Sequence, residues 1–450
     1  MPYIKKEELT KRTKKKTFVF DDFQLYRGGE NSLIASESMN CDCRDGVLSY
    51  GIGVKPYLLA GESKPVYKLD KKLRAAHLVN TREDENSLRA KEYLFITTED
   101  GSLYYYNRYI ELLNFIFQGY TVSARGKWTR KSEPYIYFFG TQNSIMQKDW
   151  NGEVIYVSVR DLGLSRVCND RVFYSFGQQN VKYSSLEGTF DDYSIDKAGV
   201  LYGGVSDGEI RGLAVIGKDL YVFFNKIIKK VRVEGSTLDF DFETIPYLGK
   251  KIYFNTVCEC DDGIFFLAED GVYRFDGKRA GQVCEHLAIS PATDDMTCVG
   301  ANANGEYVLA YTDKNGTRKQ AVISADGKSG YFSVPVEGLT ENGKVALFRK
   351  GDYICTFDKN SLCIGRAYFQ TEKLSFGQSG RKTLQRLRFF GHGVADVRLQ
   401  GNGWERVQRV TFEEGEFVWE IWGKSDEFSL EIELEQGSQI RKIAAEVIFP

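Results

Sequence analysis

Ala214-Val-Ile-Gly-Lys-Asp-Leu-Tyr-Val-Phe-Phe-Asn-Lys-Ile-Ile-Lys-Lys-Val-Arg-Val-Glu-Gly235 decides the fold of this chain. Its apolar residues fall in short runs rich in Val, Ile, Tyr and Phe, broken at Gly217-Lys218-Asp219 and again at Asn225-Lys226. That pattern predicts strand, tight turn, strand, turn, strand, which is an antiparallel meander. A meander of this size cannot cover both of its faces, so it needs neighbours of its own kind.

The neighbours are present. A turn like Phe224-Asn-Lys-Ile-Ile recurs as Glu99-Asp-Gly-Ser-Leu-Tyr, Gln142-Asn-Ser-Ile-Met, Gln179-Asn-Val-Lys-Tyr and Glu269-Asp-Gly-Val-Tyr, with weaker copies at Lys314-Asn-Gly-Thr and Lys359-Asn-Ser-Leu-Cys. With Gly101, Asn143, Asn180, Asn225, Gly271, Asn315 and Asn360 as anchors, the spacings are 42, 37, 45, 46, 44 and 45 residues. About four short strands in a period of some forty residues is the signature of β-propeller blades. Helical repeats of similar length are excluded, because Asn-Gly and Asp-Gly turns interrupt the chain where a helix would have to continue. The expected fold is therefore all-β: a propeller of six to eight blades, seven favoured by the anchors, with Asp45-Gly46 as a further turn and one blade open to being split between the chain's ends.

From about Thr371 the period breaks. Leu387 to Phe390, Ala395 to Leu399, Arg406 to Phe412, Phe417 to Trp422, Phe428 to Leu434 and Ile440 to Phe449 largely alternate apolar with polar residues between Gly-rich turns. Half-buried antiparallel strands at this spacing predict a small β-sandwich. The expected organisation is a basic arm over 1–20, a propeller over 21–368 and a sandwich over 369–450.

Composition bounds the function. The 450 residues carry a formal charge of −2 with 42% apolar and 14% aromatic residues, so a large core is affordable and a globally basic nucleic-acid binder is not indicated. Basic charge is local instead: Lys5, Lys6, Lys11, Arg12, Lys14, Lys15 and Lys16 stand against Glu7 and Glu8 in the first sixteen residues, a local charge of +5. Such an arm suits DNA phosphates or an acidic neighbouring subunit, and a solvated tail is the plainer alternative. Nine cysteines without a disulfide spacing, and a Lys-rich rather than apolar start, point to assembly in a reducing cytoplasm. No apolar run reaches the roughly eighteen residues that span a bilayer, so membrane insertion is not expected.

Candidate chemistry is sparse. Cys258-Glu-Cys260 and Cys284-Glu-His286 would supply tetrahedral zinc if strand pairing brought them together, since a period of two puts both members of each on one face. Cys41 and Cys43 pose the same question, and buried apolar thiols are the plainer reading of all of these. Asp191-Asp192, Asp261-Asp262 and Asp294-Asp295 evoke the two carboxylates of a glycoside hydrolase, yet adjacent strand residues point to opposite faces and turns favour Asp for local bonding. Asp313-Lys-Asn-Gly316 has the start of a calcium loop without its later Glu and reads as a hairpin turn. Phosphate loops, nucleophile elbows and metalloprotease patterns are absent, and His77, His286 and His392 lie far apart in sequence. No catalytic, cofactor or metal site is expected. Tyr104-Tyr-Tyr106, Trp128 and Trp150 are the candidate aromatics for a binding funnel, or else blade core.

Three stretches also carry a resemblance. The order Phe23-Gln-Leu-Tyr-Arg-Gly-Gly-Glu-Asn31, then Met39-Asn-Cys-Asp-Cys-Arg-Asp-Gly-Val-Leu-Ser-Tyr-Gly-Ile-Gly-Val-Lys55, resembles the opening of a broad family of bacteriophage virion proteins. That family includes the propeller-bearing tail-hub and nozzle proteins of short-tailed phages. Asp170-Arg-Val-Phe-Tyr-Ser175 through Ile210-Arg-Gly-Leu-Ala and on to Phe223, and Arg381-Lys-Thr-Leu-Gln-Arg-Leu-Arg-Phe-Phe-Gly391 near the C-terminus, are similar to the same family. The resemblance implies a structural protein of a phage tail or neck, assembled in the host cytoplasm. It implies a ring, hexameric by analogy, around the DNA exit channel, with other tail or portal/adaptor proteins as neighbours and non-specific contact with packaged DNA. A binding module for a host-surface glycan or protein is the alternative, and a glycoside hydrolase a third.

Overall fold

The computed structural model describes residues 14–450 apart from short segments, the longest being 60–70, 83–89 and 185–197; over 79–93 and 107–163 it describes strands and their pairing alone. Among the described residues there is no α-helix, and the chain divides into two units. One comprises residues 55–320 and 335–357, the other 1–54, 321–334 and 358–450.

The first unit is the propeller. Its opening stretch folds as its pattern demands, into Ile210–Ile216, Asp219–Phe224 and Ile228–Arg232, with Gly217 at φ 63 in the tight turn and a fourth strand, Glu243–Ile245, outside. The same order of four antiparallel strands is found in sheets running over 73–117, 122–157, 162–202 and 258–283. Val299–Ala303 and Glu306–Thr312 begin a sixth blade. Glu337–Asn342, Val345–Lys350 and Tyr353–Phe357 form the seventh, whose fourth strand is Val54–Pro56. The last blade is thus split between distant parts of the chain.

Seven innermost strands, Leu73–Arg82, Val122–Arg130, Leu162–Cys168, Ile210–Ile216, Cys258–Cys260, Val299–Ala303 and Glu337–Asn342, neighbour one another in turn, and the last meets the first. The ring has seven blades. Aromatic and β-branched side chains fill the space between blades: Phe173, Tyr183 and Val181 pack with Leu213, Val222 and Phe224, and Phe223 and Tyr221 pack with Phe266 and Phe275. Gly212 lets two innermost strands meet, since a Cβ there would fall 2.3 Å from a methyl of Val257. At the closure, Leu73, Ala76 and Ile96 of the first blade pack on Leu347 and Ile354 of the seventh. Polar side chains join the same two strands: Glu337 Oε1 accepts from the Leu73 amide (2.7 Å), Thr340 Oγ1 from Ala76 (3.1 Å) and Asn342 Oδ1 from Leu78 (2.7 Å). The Asn342 amide nitrogen donates back to the Ala76 carbonyl at 3.0 Å. Four backbone groups that adjoining blades would leave bare are satisfied in this way.

The second unit is a β-sandwich. One sheet has the order Glu416–Ser425, Lys382–His392, Gln439–Phe449; beyond the last lie Leu48–Tyr50 with Cys41–Asp42 at one end and Lys14–Phe20 at the other. The facing sheet runs Gly330–Tyr331, Ser32–Met39, Ala367–Thr371, Ser429–Leu434, Val394–Gly401, Trp404–Thr411, and Asp22–Gln24 pairs with Ser32–Met39 in parallel. Strict alternation sends Leu430, Ile432 and Leu434 inward from one sheet and Leu387, Phe389, Ile443 and Val447 from the other, onto Phe23, Leu33 and Phe369.

All six C-terminal strands expected from the sequence are present. The division by contacts nevertheless differs from three consecutive segments 1–20, 21–368 and 369–450: residues 14–54 belong with the sandwich. Gly46, at φ 71, therefore belongs to the sandwich unit and not to an eighth blade, while Asp45 lies outside the described residues. The anchor at Asn360, outside the described residues, follows the third strand of the seventh blade, and the equivalent turn is at Gly351, with φ 60.

Candidate functional site

The innermost strands bring together charges that are far apart in sequence. Arg166, on the third blade, lies 3.5 Å from Glu259 on the fifth and 3.2 Å from Glu341 on the seventh. Glu259 also accepts from the Val215 amide of the fourth blade (2.7 Å), and its backbone carbonyl accepts from Asn302 of the sixth (2.7 Å). One guanidinium therefore ties alternate blades across the ring and is half-buried there. Arg211 and Glu209 make a further pair at 3.2 Å on the fourth blade. A fixed fork of donors between two carboxylates is a geometric clamp. It holds blades in register and presents no nucleophile.

Cys258 and Cys260 do lie on one face, as the period of two requires, with their sulfurs 4.0 Å apart. Cys284 and His286 do not join them. Cys258–Cys260 is the innermost strand of its blade, whereas Cys284 follows the outermost, Ala280–Val283, three strand spacings or about 14 Å away. Cys284-Glu-His286 is moreover part of a 3-10 turn, not a strand, and among the described residues no three potential ligands gather. Burial pushes the Cys258 thiol well above its ordinary pKa. Cys41 and Cys43 are buried in the sandwich, where Cys43 is pushed up for the same reason and Cys41 donates to the Tyr368 carbonyl.

Lys5, Lys6, Lys11 and Arg12 lie outside the described residues. Lys14, Lys15 and Lys16 are not a loose tail: they open the strand Lys14–Phe20, paired along its length with Gln439–Phe449. Lys15 meets the buried carboxylate of Glu446 at 2.6 Å, and Lys16 lies over the Phe18 ring at 4.7 Å. Glu446 also faces Arg388 (3.2 Å) and Arg386 (3.6 Å).

Of the candidate aromatics, Tyr106 is buried in the core between the first and seventh blades, and Tyr104 packs against that core with the Lys71 ammonium 5.8 Å from its ring. The side chain of Trp128 and the whole of Trp150 are outside the described residues. Asp191-Asp192 and Asp294-Asp295 are likewise outside them. Asp261 and Asp262 occupy the exposed turn after Cys260, where Asp261 pairs with Lys344 at 2.7 Å. Asp313 accepts from the amides of Asn315 and Thr317, both at 2.9 Å, and so organises a hairpin turn.

The resemblance motif is built into the sandwich as architecture. Asn40 adopts φ 58; its Oδ1 accepts from the Ser333 amide (2.9 Å), and its Nδ2 donates to Ser333 Oγ (3.0 Å) and the Arg366 carbonyl (3.2 Å). Gly53 admits the carbonyls of Asp358 and Ser361 to 2.1 Å of where its Cβ would stand, which only glycine allows. The axial clamp escaped the sequence reading because Glu259 sits between two cysteines that claim attention, and because strand alternation says nothing about which distant blade a side chain meets.

No protein-family model matches this chain, and no curated protein matches it. Solved structures do. The BBS1N component of a complex with ARL6DN is 10% identical, with 68% of this chain and 98% of that chain covered and a TM-score of 0.44. YCF48 bound to D1 peptide is 8% identical, with 68% and 100% covered and a TM-score of 0.42. The computationally designed Ika8 protein is 13% identical, with 65% and 98% covered and a TM-score of 0.36.

Proposed function

We propose that this β-propeller protein is a non-enzymatic structural component of a bacteriophage particle, a tail hub or nozzle or a neck protein that assembles into a ring around the DNA exit channel. The observation that carries the reading is the placement of the motif shared with that family. Asn40, Gly51 and Gly53 thread residues 39–54 into the sandwich and lead the chain to the strand that completes the seventh blade. They act as joints of the chain. Paired charges at the propeller axis and buried thiols fit the same reading, in which the mechanism is architectural: copies related by rotation present one patch to another and close. The ring would take other tail or portal/adaptor proteins above and below it, and Lys5, Lys6, Lys11 and Arg12 would meet DNA phosphates. Among the described residues no helix is long and apolar enough to cross a membrane.

The test is the mass of the purified full chain by light scattering, beside a chain beginning at Lys14. Residues 1–13 can be removed without cutting the strand Lys14–Phe20. A discrete closed oligomer, and labelling of particle tails by an antibody to the chain, is the expected result. A monomer that labels no particle and binds host cells overturns it.

That last outcome would support the second reading, a binding module, which one observation favours. Tyr202, at the end of the third blade's last strand, and Val205 just after it are 75% and 88% exposed, two large apolar side chains set close together in sequence.

A further inference from the structure

Among the described residues, one sheet of the sandwich is open at both sides. Its four long strands alternate in direction in the order Glu416–Ser425, Lys382–His392, Gln439–Phe449, Lys14–Phe20, and among the described residues no strand pairs with the outer edge of the first or of the last. Open edges are templates for further strands unless chemistry forbids it. Here the two edges differ in sign. Lys14, Lys15 and Lys16 line one, all exposed, while Glu416 and Glu420 stand half-exposed on the other.

The register sharpens the match. Val418 lies opposite Arg388, Arg388 opposite Ala444 and Ala444 opposite Val19, so Val418 and Val19 end the same row of the same face at opposite edges. Both are exposed, at 45% and 36%. In the next row Glu420 ends one side and Thr17 the other, with Lys15 diagonal to it. Because the strand number is even and every pairing antiparallel, a second copy placed beside the first meets it antiparallel as well, continuing the sheet's own pattern. Beyond Glu420 the edge is closed: Ile421 and Trp422 bulge opposite Gln385, with Trp422 at φ 55, and the Arg406 guanidinium takes the Ile421 carbonyl. Bulges of this kind end pairing. The open stretch is therefore Glu416–Glu420, five residues long, which is the length of an ordinary strand pairing.

We infer that Thr17–Phe20 of one copy docks on Phe417–Glu420 of the next, with Val19 opposite Val418 and Lys15 diagonal to Glu420, so that copies join head to tail through one continuous sheet. Like edges are excluded by their own charge, lysines against lysines or Glu416 and Glu420 against themselves. Head-to-tail contact is heterologous, the type that generates rings. The inference rests on the ring reading above and specifies its interface.

The test mixes two single variants, V19C and V418C, under mild oxidation. Opposed residues of antiparallel strands have Cα atoms about 4.5–5.5 Å apart, within disulfide reach. A covalent dimer is expected in the mixture and in neither variant alone, and V418K, which sets a strongly hydrated ammonium opposite the apolar Val19, should weaken association by about tenfold or more. Both valines are exposed, so the fold survives either change, as circular dichroism would verify. If the full chain forms an oligomer but the mixture gives no covalent dimer and V418K assembles normally, the edge assignment is overturned while the ring reading stands. If the chain is monomeric at every concentration and nothing cross-links, the edge assignment falls together with self-assembly.

Discussion

At the scale of single residues, the positions that matter most hold the chain in shapes it would not adopt alone. Asn40 combines a left-handed backbone with three side-chain hydrogen bonds in a site only 3% exposed. The two contributions separate on mutation. Asn40→Gly keeps the backbone without steric cost and loses the bonds, whereas Asn40→Ala loses the bonds and also strains the backbone. Urea denaturation should rank wild type above Gly above Ala, with the Ala variant down by about 3 kcal/mol; equal stabilities of Gly and Ala would contradict the left-handed assignment. Glu446 offers a pH test. The hydrogen bond from Lys15, with the nearby charges of Arg386 and Arg388, holds its carboxyl below the usual range. A carboxyl whose folded pKa is depressed contributes stability that is complete above its unfolded pKa of about 4.3 and is lost as pH falls through the lower folded value. Glu446→Gln should therefore cost about 1–3 kcal/mol at neutral pH, and its melting temperature should converge on that of wild type as the pH drops below about 4. A constant gap across that range would mean that the charge of Glu446 is not what stabilises this sheet.

At the scale of elements, the blades were legible because turns are chemical and local. Asn225 and Asn315 sit between the second and third strands of their blades, and Gly271 opens the third strand of its blade right after the Glu269-Asp270 turn. The ring closure was not legible. Glu337, Thr340 and Asn342 look like ordinary alternating strand residues, and nothing nearby says that their side chains bond the backbone of a strand some 264 residues earlier. The same limit explains the cysteines: the period of two correctly joined Cys258 to Cys260, but only the strand order of the sheet puts Cys284 at its far edge. Asn342 tests the closure. It accepts from Leu78 and donates to Ala76, so Asn342→Leu removes two side-chain hydrogen bonds that tie the seventh blade to the first blade's innermost strand. The expected cost is about 2–4 kcal/mol. Hydrogen exchange should rise over 73–82 and 337–342 ahead of the fourth and fifth blades; a uniform rise around the ring would show that closure is not the local event drawn here.

At the scale of the whole molecule, the sandwich is assembled from three separate lengths of chain, 1–54, 321–334 and 358–450. Composition could not reveal this, because the six regular strands at the C-terminus look sufficient for a domain. What they lack is part of the core. Phe20, Phe23, Leu25 and Leu33 come from the N-terminal segment and are buried among Phe369, Phe389, Ile443 and Val447. Burying each such side chain is worth about 1.5–3 kcal/mol, so without them the C-terminal segment forfeits about 6 kcal/mol or more, comparable with the entire stability of a typical domain. It also loses the strands that cover Gln439–Phe449 and Ala367–Thr371. Residues 369–450 expressed alone should therefore be collapsed but not uniquely packed, binding a hydrophobic dye and giving poorly dispersed amide resonances. Adding a peptide spanning 14–54 should restore dispersion, because the missing strands and the missing core arrive together. A well-dispersed spectrum from 369–450 by itself would mean that this segment is a domain in its own right and that the N-terminal strands merely decorate it.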